Sequence, residues 1–216
     1  AAEFVPPPSN ALANLIDDLC TFLGRADVPR LAQAAIAHAQ FLSLCPFYDG
    51  NGRTARCLVQ ALFRRHDLIS KALPISAVLA VSRRGYIEGL SVYQNGEVIE
   101  YCSAFASTVE NAAVHASRLT GECAQALERW RNQLGRVRSG SAAERLLPLL
   151  MDQPVLNAKE AESALRVSDE AARLGLIALE KAGILRRLGS SPYDRTWMAD
   201  DALALLERWE YDIELD

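Results

Sequence analysis

The residues best suited to chemistry lie in one short run, Asp49-Gly50-Asn51-Gly52-Arg53, with Arg56 three positions further on. Glycines let a backbone take positive φ and approach a ligand closely, and a helix opening just after them offers free amides and a favourable dipole to an anion. That combination suits phosphate. Arg53 and Arg56 are three apart, so both guanidinium groups leave the same side of such a helix near its start, where two forks could clamp a polyphosphate. Asp49 adds a carboxylate able to hold magnesium against those phosphates. The competing readings are a hairpin turn, for which Asp-Gly and Asn-Gly are the usual residues, and an ordinary helix-helix connection. The flanks argue against the hairpin, because their apolar residues recur at helical rather than alternating spacing.

Three helices are expected around this loop. Pro8-Ser9-Asn10 starts the first, with Leu12, Leu15, Ile16, Leu19 and Leu23 on one face until Gly24. Asp27-Val28-Pro29 starts the second, with Leu31, Ala34, Ala35, His38, Phe41 and Leu42 on one face until Pro46. Beyond the loop, Leu58, Val59, Leu62 and Phe63 mark a third, from Arg53 to about His66. The run from Leu73 to Val81 reads as helix or short buried strand, with helix favoured by Tyr86, Leu90 and Tyr93. Val98 to about Leu134 reads as one or two helices, broken near Thr120-Gly121.

Arg136 to Ser141, with Gly135 before it, resembles a linker, dividing the chain into residues 1–138 and 139–216. The second part orders three helices (about Ala142 to Met151, Ala158 to Leu165 and Ser168 to Ala182), then a hairpin turning at Gly189-Ser190-Ser191-Pro192 and ending in Thr196-Trp197-Met198. Three helices and a hairpin is the winged-helix order. A last helix from Asp200 to about Glu210 would carry Leu203, Leu205, Leu206 and Trp209 inside. The expected fold is mainly α, a helical domain followed by a winged helix-turn-helix domain.

The segment His38 to Arg56, HAQFLSLCPFYDGNGRTAR, resembles the signature of Fic (Fido) domain proteins, His-Pro-Phe-x-[Asp/Glu]-Gly-Asn-Gly-Arg-x-x-Arg. The FVPPP segment and the C-terminal winged helix extend the likeness over nearly the whole chain. The resemblance implies transfer of AMP from ATP to a side-chain hydroxyl of a target protein, with release of pyrophosphate. It implies magnesium on Asp49, an anion hole from the amides of Gly50, Asn51 and Gly52, outer phosphates on Arg53, the far end of the nucleotide on Arg56, and Phe47 anchored in the core. Two parts of the pattern are not visible: a flap expected just upstream of Phe4-Val5-Pro6, and an inhibitory helix motif.

Cys45 stands at the family's histidine, the expected general base, a role worth about 10²–10⁴ in rate. A free thiol titrates near ~8.5 and is a better nucleophile than base. Three outcomes stay open: a weakened transferase, a nucleotide-binding pseudoenzyme, or covalent chemistry at Cys45. His38 shares a face with Leu31, Ala35 and Leu42 and reads as a packed core histidine rather than a substitute base.

Composition bounds the rest. The 216 residues carry 23 Lys and Arg against 27 Asp and Glu, a net −4, which gives no bulk attraction to nucleic acid or anionic membrane. No run approaches a spanning helix and no signal pattern opens the chain, so a cytoplasmic protein without membrane contact is expected. Five cysteines without CxxC spacing make a disulfide framework or zinc site unexpected. Residues 141–216 hold 9 Lys and Arg against 15 Asp and Glu. DNA is therefore a less favoured partner of the winged helix than protein or a second copy of the chain. The rival function is a DNA-binding or protein-interaction regulator whose nucleotide pocket is a remnant.

Overall fold

The structure, a computed structural model, describes residues 5–81, 83–189 and 195–215. Phe4 of the FVPPP segment lies outside them. The chain divides into two compact units, Ala1–Ala116 and Ser117–Asp216.

The first unit is helical: α1 (Ser9–Leu23), α2 (Arg30–Leu44), α3 (Asn51–Arg65), α4 (Ile75–Val81), α5 (Arg83–Gln94) and the first part of α6 (Val98–Leu134). Fully buried Ala34, Ala35, Ala37 and Ala39 keep α2 slim, so that α1 and α3 pack closely on it. Leu19, Val59, Leu62, Phe63, Ile75 and Phe105 complete the core. Two glutamines hold the connections. Gln33 Nε2 donates to the carbonyls of Phe22, in the last turn of α1, and Arg25, just past it, each at 3.0 Å. The Gln60 amide exchanges two hydrogen bonds with the backbone of Leu73, at 2.7 and 3.1 Å, fixing the stretch between α3 and α4.

The run ending at Val81 is helix, not strand. No break occurs at Thr120-Gly121: α6 continues through both for 37 residues. A lone glycine costs a helix only about 1 kcal/mol relative to alanine, which long neighbouring turns absorb.

The second unit takes the end of α6, then α7 (Ala142–Asp152), β1 (Val155–Asn157), α8 (Ala158–Leu165), α9 (Asp169–Lys181), β2 (Arg186–Leu188), β3 (Thr196–Met198) and α10 (Asp200–Leu215). Side-chain caps start three of its helices. Ser141 accepts from Glu144 N, Ser168 accepts from Ala171 N, and Asn157 with Glu160 forms a reciprocal capping box. The core gathers Trp130, Leu146, Leu147, Leu150, Leu156, Leu176, Leu179 and Trp197.

Its sheet is antiparallel, in the order β1-β3-β2. Strand β1 was not expected from the sequence: three residues show no period, and what makes them a strand is pairing with β3, Leu156 opposite Trp197. Apart from Gly189, the turn expected at Gly189-Ser190-Ser191-Pro192 lies outside the described residues. Helix α10 runs past Glu210, and Leu206 faces solvent rather than core, while Ala202 and Leu205 fill the inward positions. No described helix is long and apolar enough to cross a membrane.

Candidate active site

Helix α2 ends where its chemistry begins. Cys45 takes the left-handed conformation (φ 45°, ψ 55°) as the C-cap, its N–H donates to Phe41 O at 3.3 Å, and Pro46 cannot continue the helix. The half-buried Cys45 Sγ donates to Leu42 O at 3.1 Å.

The loop is held from within by Asn51. Its side chain accepts from Phe47 N at 2.9 Å and donates to Phe47 O at 2.7 Å, clamping both polar groups of one residue. The Phe47 side chain is not the core anchor expected of it. It is 53% exposed, with the Phe41 ring at 6.1 Å between centroids, so the backbone clamp does the anchoring.

Gly50 caps α3 at φ 87°, where a side chain would be strained, and no side chain caps the first turn. The amides of Asn51, Gly52 and Arg53 precede the first intrahelical donor, Thr54 N to Gly50 O. This is the local arrangement that receives anions at helix starts.

The two arginines lie over different glycines of the loop. Arg53 folds back over Gly50 and pairs with Asp49, Nη2 to Oδ2 at 2.9 Å, both side chains well exposed. Asp49 Oδ1 also accepts from Gly50 N at 2.6 Å. Arg56 lies over Gly52 instead, where an added Cβ would meet its Nη1 at 3.2 Å. Its charge favours neutral His38 and the ionised form of Tyr86.

Beside the loop opens a groove of about 1040 Å³, lined among others by Leu42, Cys45 and Gly52 on one side and Tyr86, Ile87 and Leu90 of α5 on the other. Asp49, Arg53 and Arg56 are not among its described lining residues. Sequence reasoning missed α5 as a wall, because nothing in the loop's motif points to a tyrosine so far along the chain.

His38 is buried, as expected of a core histidine, and both ring nitrogens have partners: Nδ1 with Tyr101 Oη at 2.9 Å and Nε2 with Tyr86 Oη at 3.2 Å. Burial, and behind it the Arg56 charge, pushes the imidazole from 6.5 down to about 4. The folded chain thus keeps His38 neutral where the unfolded chain takes up a proton. Unfolding free energy is expected to fall by about 3 kcal/mol as pH drops from about 6.5 to about 4, with no contribution from His38 above that range. Denaturant titrations at pH 7 and pH 4.5 check this, with His38→Gln expected to show a correspondingly shallower loss.

Among the described residues no three His, Cys, Asp or Glu side chains stand together to hold a metal. The single carboxylate of Asp49 fits a magnesium ion that keeps most of its ligands as water and substrate phosphate.

The site is a helix start without a side-chain cap, beside a groove between α-helices. Residues 1–63, which include the whole loop, match the model of the Fic/DOC family. A probable protein adenylyltransferase of Aquifex aeolicus (strain VF5) is 32% identical over 115 residues, covering 50% of this chain and 35% of that protein. The crystal structure of a Fic family protein from Desulfovibrio desulfuricans G20 matches with TM-score 0.52 at 20% identity, over 89% of this chain and 56% of that one. At that identity the likeness speaks to fold alone. The chain spans about a third of the curated relative and little more than half of the solved structure.

Proposed function

We propose that the chain binds ATP with magnesium at the Asp49 to Arg56 loop and is related in function to protein adenylyltransferases, with AMP transfer to a target protein's hydroxyl weakened by Cys45. What carries this reading is the uncapped start of α3, with Gly50 in the left-handed region and Arg53 and Arg56 laid over Gly50 and Gly52. The amides of Gly50, Asn51 and Gly52 would receive the phosphates. Arg53 and the Gly50 amide would exchange Asp49 for them, leaving the Asp49 carboxylate for magnesium, which when bound supplies charge neutralisation at the departing pyrophosphate. Arg56 would secure the far end, next to the groove that takes the rest of the nucleotide.

Positioning and charge stabilisation are most of what such transfers need, and the loop offers both. Deprotonation of the acceptor is what Cys45 supplies poorly. The test is calorimetric titration of MgATP into the native chain and Arg53→Ala. Saturable binding that weakens at least about tenfold in the variant, as loss of a charged hydrogen bond to phosphate predicts, supports the reading. Equal binding by both, or none by the native chain, removes it.

A second reading assigns the regulatory role to residues 139–216 as a winged helix. It is favoured by the order α7-β1-α8-α9-β2-β3 with the sheet arranged β1-β3-β2. Within it, protein is a better partner than DNA. Arg173 pairs with Glu170, Arg187 with Glu180, and Arg186 grips Asp200 through two bonds at 2.8 and 2.9 Å. Three cations that would meet DNA phosphates on helix and wing are already answered by carboxylates of the same chain.

A further inference from the structure

We propose that Tyr86 and His38 form a proton relay serving adenylyl transfer, Tyr86 Oη taking the proton of the attacking hydroxyl while passing its own to His38 Nε2. This rests on the adenylyl-transfer reading above and supplies the function that Cys45 lacks.

Most buried histidines need only satisfied nitrogens, and His38 has those. What sets it apart is that one of its two partners also opens to the reaction groove: half-buried Tyr86 lines the groove that Cys45 and Gly52 line from the opposite side. Tyr101, the other partner, is buried. The relay takes the tautomer in which Nδ1 carries the hydrogen and donates to Tyr101 Oη, leaving Nε2 to accept from the Tyr86 hydroxyl. In that tautomer the hydrogen of a groove-lining tyrosine points at a base. The rings of Tyr86 and Phe105 lie against the imidazole at 5.8 and 5.5 Å and fix its plane.

The step balances. As the acceptor oxygen bonds to the α-phosphorus, the bridging bond to the β-phosphate breaks and pyrophosphate leaves with the electron pair. The acceptor's proton moves to Tyr86 Oη and the Tyr86 hydrogen to His38 Nε2, giving an imidazolium that returns its proton through Tyr86 once products depart. Arg56 beside Tyr86 favours negative charge on the phenol oxygen during transfer, against the effect of its burial. The same guanidinium disfavours the imidazolium, and phosphate bound to Arg56 would relieve that repulsion. Because burial keeps His38 a weak base, the relay belongs at the slow end of general-base catalysis.

Water serves as acceptor in a test that needs no target protein. Pyrophosphate release from MgATP is followed for the native full chain and Tyr86→Phe, with calorimetric titration of MgATP into both. The relay predicts similar nucleotide affinity in the two, measurable release by the native chain, and at least a fivefold lower kcat in the variant with KM unchanged. A smaller drop, a loss that falls on KM and affinity together, or native binding without any release overturns the relay while leaving the nucleotide site standing. Failure of the native chain to bind MgATP at all removes the underlying reading, and the relay with it.

Discussion

Replacing Cys45 with histidine is expected to raise AMP transfer to protein hydroxyls by about 10²–10⁴-fold, the usual worth of a positioned general base. The rest of the loop needs no change for this. Asn51 clamps Phe47, Gly50 turns the chain and the first amides of α3 remain uncapped whichever side chain stands at position 45. Cys45 itself sits at φ 45° and ψ 55°, and histidine is among the residues enriched in that left-handed region. Label transferred from α-labelled ATP to the chain and to added bacterial proteins measures the gain. A Cys45→His variant that binds MgATP like the native chain yet transfers no faster would mean that the groove fails to align an acceptor, and that the missing base is not what limits this protein.

Removing the Trp130 side chain is expected to cost the second unit about 3–5 kcal/mol, as for large aromatic deletions in well-packed cores. Trp130 is fully buried at the end of α6 and packs among the leucines of the second unit's core. Its indole Nε1 donates to Asp201 Oδ2 at 3.3 Å at the start of α10. Alanine would leave both a cavity and a carboxylate without that donor. Denaturant unfolding of Trp130→Ala followed by circular dichroism reports the loss. A change below about 1 kcal/mol would mean that the last turns of α6 are not part of that core.

How legible each feature was follows from the range of the forces involved. Helices α1, α2 and α3 and the loop between the last two could be read directly, because caps, glycines and apolar periods are local signals. The clamp of Asn51 on Phe47 is equally local, but its polarity made Asn51 look like a contributor of amides alone. Strand β1 and the groove wall on α5 were not legible. The first exists through pairing with β3, some forty residues on, and the second through a tyrosine that meets His38 only after α5 has packed beside α2. The partners of the two arginines were not legible either. Arg53 pairs with Asp49 and the Arg56 charge acts on Tyr86 and His38, and spacing along one helix says nothing of either neighbour.

The central claim is that the amides opening α3 receive phosphate, and amide-resolved NMR of the native chain titrated with MgATP tests it most directly. The account predicts that the largest shifts fall on the amides of Gly50, Asn51, Gly52 and Arg53. Shifts confined to other parts of the chain, with these four unmoved at saturation, would contradict it.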